Sequence, residues 1–268
     1  MTASASDLPR TPIVLIHGAT SSARTWDPLL PMLSAKYHVF VPSLAGHRGG
    51  PPLPAGPAAV VDRIVDALCH QLDEAAIETA HMVGNSLGGW AALELARRGR
   101  ALSVLALSPA GAWRRRRDLR RLLFLFRAGA ALARVNDMPN LASRKRVRRI
   151  LLLLMAEHAD RMTPEQVAAA FEDIATCTAL PEILDGARND GPIKPVSDVG
   201  CRVRIAWGLN DRMLPFMRYG APMLAAVPDA EFKLIPGVGH VPMIDDPALV
   251  ANTILDFIET TDSQLNSH

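Results

Sequence analysis

Short apolar runs alternate with longer amphipathic ones along most of this 268-residue chain. Six runs, at 13–16, 39–41, 81–83, 103–107, 203–207 and 232–235, read as strands. Most are rich in Val, Ile and Leu, as strands buried on both faces tend to be. Between them the apolar positions fall at helical spacing. In 57–72, Val60, Ile64, Ala67, Leu68 and Leu72 form one stripe. Further helices are expected at 90–97, 218–226 and 247–259. This alternation implies an α/β fold, with right-handed crossovers and a mostly parallel sheet of about six strands covered by helices on both faces.

The alternation stops between Trp113 and Val196. About eighty residues there carry no clear strand signal. Leu119, Leu122, Leu123 and Phe126 recur at helical spacing, with Arg116, Arg117, Arg120 and Arg121 largely on the other side. A second helix is expected from about 144 to 158. A third opens at Thr163-Pro164-Glu165-Gln166, which combines capping-box spacing with proline at the first helical position. A fourth starts near Pro181. The expected division is therefore a core of 1–112 and 197–268 with a helical insertion at 113–196.

Candidate chemistry sits at the strand ends. Gly84-Asn85-Ser86-Leu87-Gly88 reads G-x-S-x-G where the third strand runs into a helix. A serine on such a turn projects its hydroxyl clear of the backbone, beside a helix N-terminus. The fifth strand runs into a loop carrying Asp211, and the sixth into a glycine-rich loop ending at His240. The order Ser86, Asp211, His240 distinguishes one serine-hydrolase layout from others that use the same groups. All three lie just past the C-terminal ends of expected parallel strands, where open α/β sheets place their sites.

These features resemble the α/β-hydrolase superfamily over nearly the whole chain. His17-Gly18 after the first strand, Gly46-His47 after the second, the serine turn and the Asp211 and His240 loops carry the resemblance. It implies that Ser86 is the nucleophile, His240 the base and Asp211 the residue that orients it. It also implies an oxyanion hole from the backbone N–H groups of Leu87 and Ala19, with Thr20 competing for the second place. The insertion corresponds to a helical lid whose apolar faces wall the substrate pocket. Trp113, Leu214 and Val241 are expected to touch substrate. Most relatives begin with an antiparallel hairpin, but only about a dozen residues precede the first strand here, so the hairpin is expected to be missing or a stub.

The expected activity is hydrolysis of a carboxylic ester, lactone or thioester through an acyl-enzyme. Members resembling haloalkane dehalogenases or epoxide hydrolases carry aspartate at the serine position, which sets them apart. The turn is similar to that of meta-cleavage-product C–C hydrolases, but those usually have tryptophan after the histidine, where this chain has Val241-Pro242. C–C hydrolysis is therefore the alternative, together with a peroxidase-like activity or a non-hydrolytic cyclase, lyase or receptor role. Asp190, Asp245 and Asp246 compete for the Asp211 role. Asp245 and Asp246 are expected instead to cap the last helix. His17 and His47 are expected to anchor their loops, and His38, His70, His81, His158 and His268 to be ordinary.

Composition removes several other classes. Cys69, Cys177 and Cys201 are odd in number and widely spaced, which argues against a disulfide framework and a zinc site. No metal or cofactor is expected. The segment Met1 to Leu8 lacks a basic n-region and an apolar h-region, so it does not read as a signal peptide. The strongest apolar run, 150–156, is too short to span a bilayer. A cytoplasmic enzyme with a small-molecule acyl substrate and no transmembrane segment is expected.

The net charge of +2 hides an asymmetry. Between Trp113 and Ile150 stand 13 Lys or Arg and two acids, Asp118 and Asp137, giving +11. The rest of the chain carries −9, from 16 basic and 25 acidic residues. One reading of the arginines is a solvated helix face enriched by codon bias. The other is a docking surface for an acidic partner such as an acyl carrier protein, for an anionic substrate or for a membrane. Nucleic acid is not expected, since aromatic residues are few and no recognition motif is present.

Overall fold

The computed structural model describes residues 10–135 and 138–265, the side chains of Met138, Pro139 and Ser143 excepted. Met1 to Leu8, Asp137 and His268 lie outside the described residues. Strand β1 is Pro12–Ile16, followed by a 3₁₀ segment, Ala23–Leu29, the short helix α1, Leu30–Leu33, and β2, His38–Phe40. Then come α2, Val60–Glu74, β3, Ala80–Asn85, α3, Leu87–Arg97, and β4, Ala101–Leu107. Five helices separate β4 from β5: α4, Arg116–Ala133, α5, Met138–Ser143, α6, Lys145–Leu151, α7, Pro164–Thr176, and α8, Leu180–Asn189. The chain closes with β5, Arg202–Gly208, α9, Phe216–Ala226, β6, Glu231–Ile235, α10, Pro242–Asp245, and α11, Pro247–Leu265.

The six strands form one sheet in the order β2-β1-β3-β4-β5-β6, every pair parallel. Among the described residues no strand precedes β1. Strand side chains alternate between faces. Val14, Ile16, Val104, Ala106, Ile205 and Trp207 pack with α2, α3 and α9. Ile13, Leu15, Leu105, Leu107 and Ala206 pack with Trp26, Leu33 and α11. The result is two apolar layers with the sheet between them, as the continuous apolar strands imply. Strand β6 departs from that pattern because it is an edge: Phe232 and Leu234 are exposed, and Glu231 pairs with Arg202 and Arg204.

Helix boundaries shift where tertiary bonds intervene. Helix α2 begins at Val60, three residues later than expected, because Val60 N–H donates to Asp190 Oδ2 at 3.1 Å. The long second helix of the insertion stops at Leu151. Beyond it, Glu157 and His158 give their N–H groups to Asp245, and Met155 C=O accepts from Val241 N–H at 2.8 Å. The Thr163 capping box forms, with Thr163 and Gln166 each accepting the other's backbone N–H. The segment is thus helical, but with one more helix, α5, than the sequence suggests.

Candidate active site

The turn between β3 and α3 brings the serine to the top of the sheet. Ser86 has φ 56° and ψ −117°, a backbone conformation that non-glycine residues rarely hold. The surroundings impose it. Ser86 N–H donates to Leu107 C=O at 3.0 Å, and Ser86 C=O accepts from Trp90 and Ala110. A side chain at Gly84 would collide with Gly88 C=O, and one at Gly88 with the carbonyl oxygens of Ile16 and His17. The two glycines of the motif are therefore required by close backbone approach.

Asp211 and His240 meet from separate loops. His240 Nδ1 donates to Asp211 Oδ2 at 2.7 Å, and both side chains are buried. This fixes the histidine tautomer and leaves Nε2 as the ring nitrogen able to accept a proton. The other carboxylate oxygen of Asp211 accepts Leu214 N–H at 2.7 Å. Asn85 ties the serine turn to the histidine loop, since its Nδ2 donates to Leu107 C=O and to His240 C=O at 2.9 Å.

Two largely apolar cavities, of about 300 and 360 Å³, reach Ser86 and His240 from different sides. The first is walled by Leu122 and Leu123 of α4 and by Ile183 and Leu184 of α8. The second is walled by Leu125 and Leu132 of α4, Leu151 and Leu152, and Phe171 of α7. Ala19, Phe126 and Met213 line both. Of the residues expected to touch substrate, Trp113 and Leu214 line the first cavity and Val241 the second. Leu87 lines the first cavity, and its N–H, the first of α3, has no acceptor within the helix.

The other acids have different employment. Asp246 Oδ1 accepts Leu249 N–H at 2.9 Å and so caps α11 as expected. Asp245 does not share that task. It is buried and accepts three backbone N–H groups, from Gly239 at 2.6 Å, His158 at 2.6 Å and Glu157 at 3.2 Å. Asp190 bonds the start of α2. Neither Asn85 nor Asp245 carried a sequence signal for these bonds, because each partner lies far along the chain.

The histidines divide similarly. His17 accepts Leu44 N–H at Nε2 and bonds Gly18 C=O through Nδ1, so it anchors its loop in the neutral form. Burial, with the charge of neighbouring His47 second, pulls its pKa down to about 3. His47 bonds Ala45 C=O, stands edge-on to His17, and is also lowered by burial. His81, expected to be ordinary, has bonding partners on both ring nitrogens. It is buried at the far end of β3, between Ser103 Oγ at 2.8 Å and Asp262 Oδ1 at 3.0 Å.

Arg121, expected on the solvent side of α4, instead turns inward. It donates to the carbonyl oxygens of Arg212 and Met213, beside the Asp211 loop. Arg148 is buried as well and donates to Asp160 C=O at 2.9 Å. Cys69, Cys177 and Cys201 are free thiols.

The family model described as "Alpha/beta hydrolase family" matches residues 13–253. The chain belongs to that family. Similar proteins include the epoxide hydrolase EphH of Mycobacterium tuberculosis, 33% identical over 73% of this chain and 94% of that protein. The pimeloyl-[acyl-carrier protein] methyl ester esterase of Aromatoleum aromaticum is 27% identical over 93% of this chain and 98% of its own length. Among solved structures, the 2-hydroxy-6-oxo-6-phenylhexa-2,4-dienoate hydrolase of Rhodococcus sp. strain RHA1 superposes with a TM-score of 0.73 at 20% identity, covering 93% of this chain and 91% of that one. The sequence relatives of this α/β-hydrolase are thus named as an epoxide hydrolase and as a methyl ester esterase. Among its described residues no helix is long and apolar enough to cross a membrane.

Proposed function

We propose that this α/β-hydrolase is a serine hydrolase that cleaves a carboxylic ester, lactone or thioester through an acyl-enzyme. The observation that carries the reading is a serine on a strained turn, opening on two apolar cavities that it shares with a histidine committed through Nδ1 to a buried aspartate. His240 Nε2 takes the Ser86 proton as Oγ bonds to the carbonyl carbon. The backbone N–H groups of Leu87 and Ala19 hold the oxyanion. As the tetrahedral intermediate collapses, the bond to the leaving group breaks and His240 returns the proton to it. Water then repeats the sequence in reverse and frees the acid. Asp211 keeps the imidazole oriented and stabilises its positive charge.

The serine favours acyl transfer over epoxide opening. Attack by Ser86 on an epoxide carbon would leave an ether, which water does not cleave under these conditions. Attack on an acyl carbon leaves an ester, which it does. The esterase relative supports the same choice. In this reading residues 113–196 are a lid over a core of 1–112 and 197–268. The three free thiols fit a reducing compartment such as the cytoplasm.

Turnover of short p-nitrophenyl esters and labelling by a fluorophosphonate test the reading. Ser86→Ala should abolish labelling and lower kcat by several orders of magnitude, leaving a residual of about 10³–10⁴ over water. Asp211→Asn should fold and lose up to about 10⁴ in kcat. Wild-type turnover by Ser86→Ala would end this reading.

A further inference from the structure

The insertion carries its charge in an unusual state. Of its 13 Lys and Arg between Trp113 and Ile150, eleven are exposed, Arg121 is half-buried and Arg148 is buried. Among the described residues none of the eleven has an acidic partner. The one acid described in that stretch, Asp118, is buried and faces Arg218 of α9. Elsewhere the pattern is the opposite. Arg24 pairs with Glu172 and Asp173, Arg98 with Asp66, Arg100 with Asp73, and Arg202 and Arg204 with Glu231. A solvated face would be expected to mix both signs. Among the described residues this one holds a single exposed sign without compensation.

Apolar side chains are exposed beside these arginines on both helices. Along α4 and its C-cap residue Arg134, the exposed positions Arg117, Arg120, Phe124, Arg127, Ala131 and Arg134 follow each other at steps of three and four, so they form one outward stripe. Phe124 is 69% exposed on that stripe, and Ile150 of α6, directly after Arg148 and Arg149, is 73% exposed. Each precedes a leucine, Leu125 or Leu151, that lines the second cavity beside Ser86. Helices α4 and α6 thus show apolar residues both to the cavity and to the outside.

We propose that this outer face of the insertion, centred on α4 and α6, docks on an anionic lipid surface. The arginines supply attraction to the headgroups, and Phe124 and Ile150 enter the boundary between headgroups and acyl chains. The arginines by themselves would fit any acidic surface. The exposed phenylalanine and isoleucine favour the lipid surface, because burying them there removes apolar area from water. The docking would bring the walls of the second cavity next to the bilayer. It does not depend on the acyl-transfer reading, and Ser86→Ala should bind as the wild type does.

The test is flotation of the full chain with vesicles of phosphatidylcholine, with and without phosphatidylglycerol, across a salt series. Binding should require phosphatidylglycerol and weaken as salt rises, since the Debye length shrinks from about 10 Å at 0.1 M to about 3 Å at 1 M. The triple variant Arg120→Glu, Arg127→Glu, Arg149→Glu should weaken binding by about a hundredfold. Phe124→Ser with Ile150→Ser should weaken it by at least about tenfold. All five positions are exposed, so thermal melting serves as the folding control. Absence of binding to either vesicle would overturn the proposal. Binding unmoved by the charge reversal, or unmoved by the two serine substitutions, would also overturn it.

Discussion

At the residue scale, the imidazole of His17 accepts Leu44 N–H through Nε2, so that bond exists only while the ring is neutral. Burial lowers its pKa from 6.5 to about 3. Between those values the unfolded chain binds a proton that the folded chain refuses. Stability therefore falls as pH drops through that window and is fully retained above pH 6.5, with a slope of about 1.4 kcal/mol per pH unit from this group. His47 and His81, both lowered by burial, add in the same direction. Urea midpoints of the wild type and of His17→Asn should converge as pH falls from 7 to 4, because the variant lacks this loss. Parallel pH profiles would show that His17 does not set the slope. The placement of single residues was readable where local pattern fixes it: Ser86 on its turn by the flanking glycines, Asp211 and His240 just past their strand ends. Asn85 and Asp245 were not readable, since what they bond is decided by loops that meet only after folding.

At the element scale, α4 is where one helix serves two cavities. Gly129 lies in its interior and lines the second of them. A methyl group there would meet no atom within 4 Å, and the residue has an ordinary helical backbone. Glycine in a helix interior costs about 0.8–1.0 kcal/mol relative to alanine. Gly129→Ala should therefore raise unfolding free energy by about 0.5–1 kcal/mol in urea titrations. A neutral or destabilising result would mean that α4 needs its glycine for some strain or motion. The same scale shows where periodicity succeeds and fails. The α4 stripe and the α7 capping box are local and were legible. The end of α6 was not, because the apolar run continues past Leu151 while the backbone N–H groups of Glu157 and His158 turn to Asp245. Hydrophobic spacing has no means of registering a competing acceptor nearly ninety residues away.

At the scale of the whole molecule, the insertion is joined to the two loops that carry Asp211 and His240. Glu157 forms an ion pair with Arg212, next to Asp211, and the Arg212 contact holds its carboxyl below the usual range. Arg121 donates to the carbonyl oxygens of Arg212 and Met213. Asp245 is the hub on the other side, since one buried carboxylate gathers Gly239 N–H from the histidine loop and Glu157 and His158 N–H from the insertion. The ion pair is half-buried with Arg212 open to solvent, which screens it and limits what it contributes. The buried carboxylate is different. Removing it leaves three donors without an acceptor, each costing about 1–3 kcal/mol if water cannot reach it. Asp245→Ala should therefore destabilise the fold by about 3 kcal/mol or more, whereas Arg212→Ala should cost less than about 1 kcal/mol. Hydrogen exchange should report where the loss falls, with protection of the Gly239 and His158 amides lost together. Equal stability losses for the two variants would refute the argument that the buried carboxylate, and not the ion pair, is what locks the insertion onto the site.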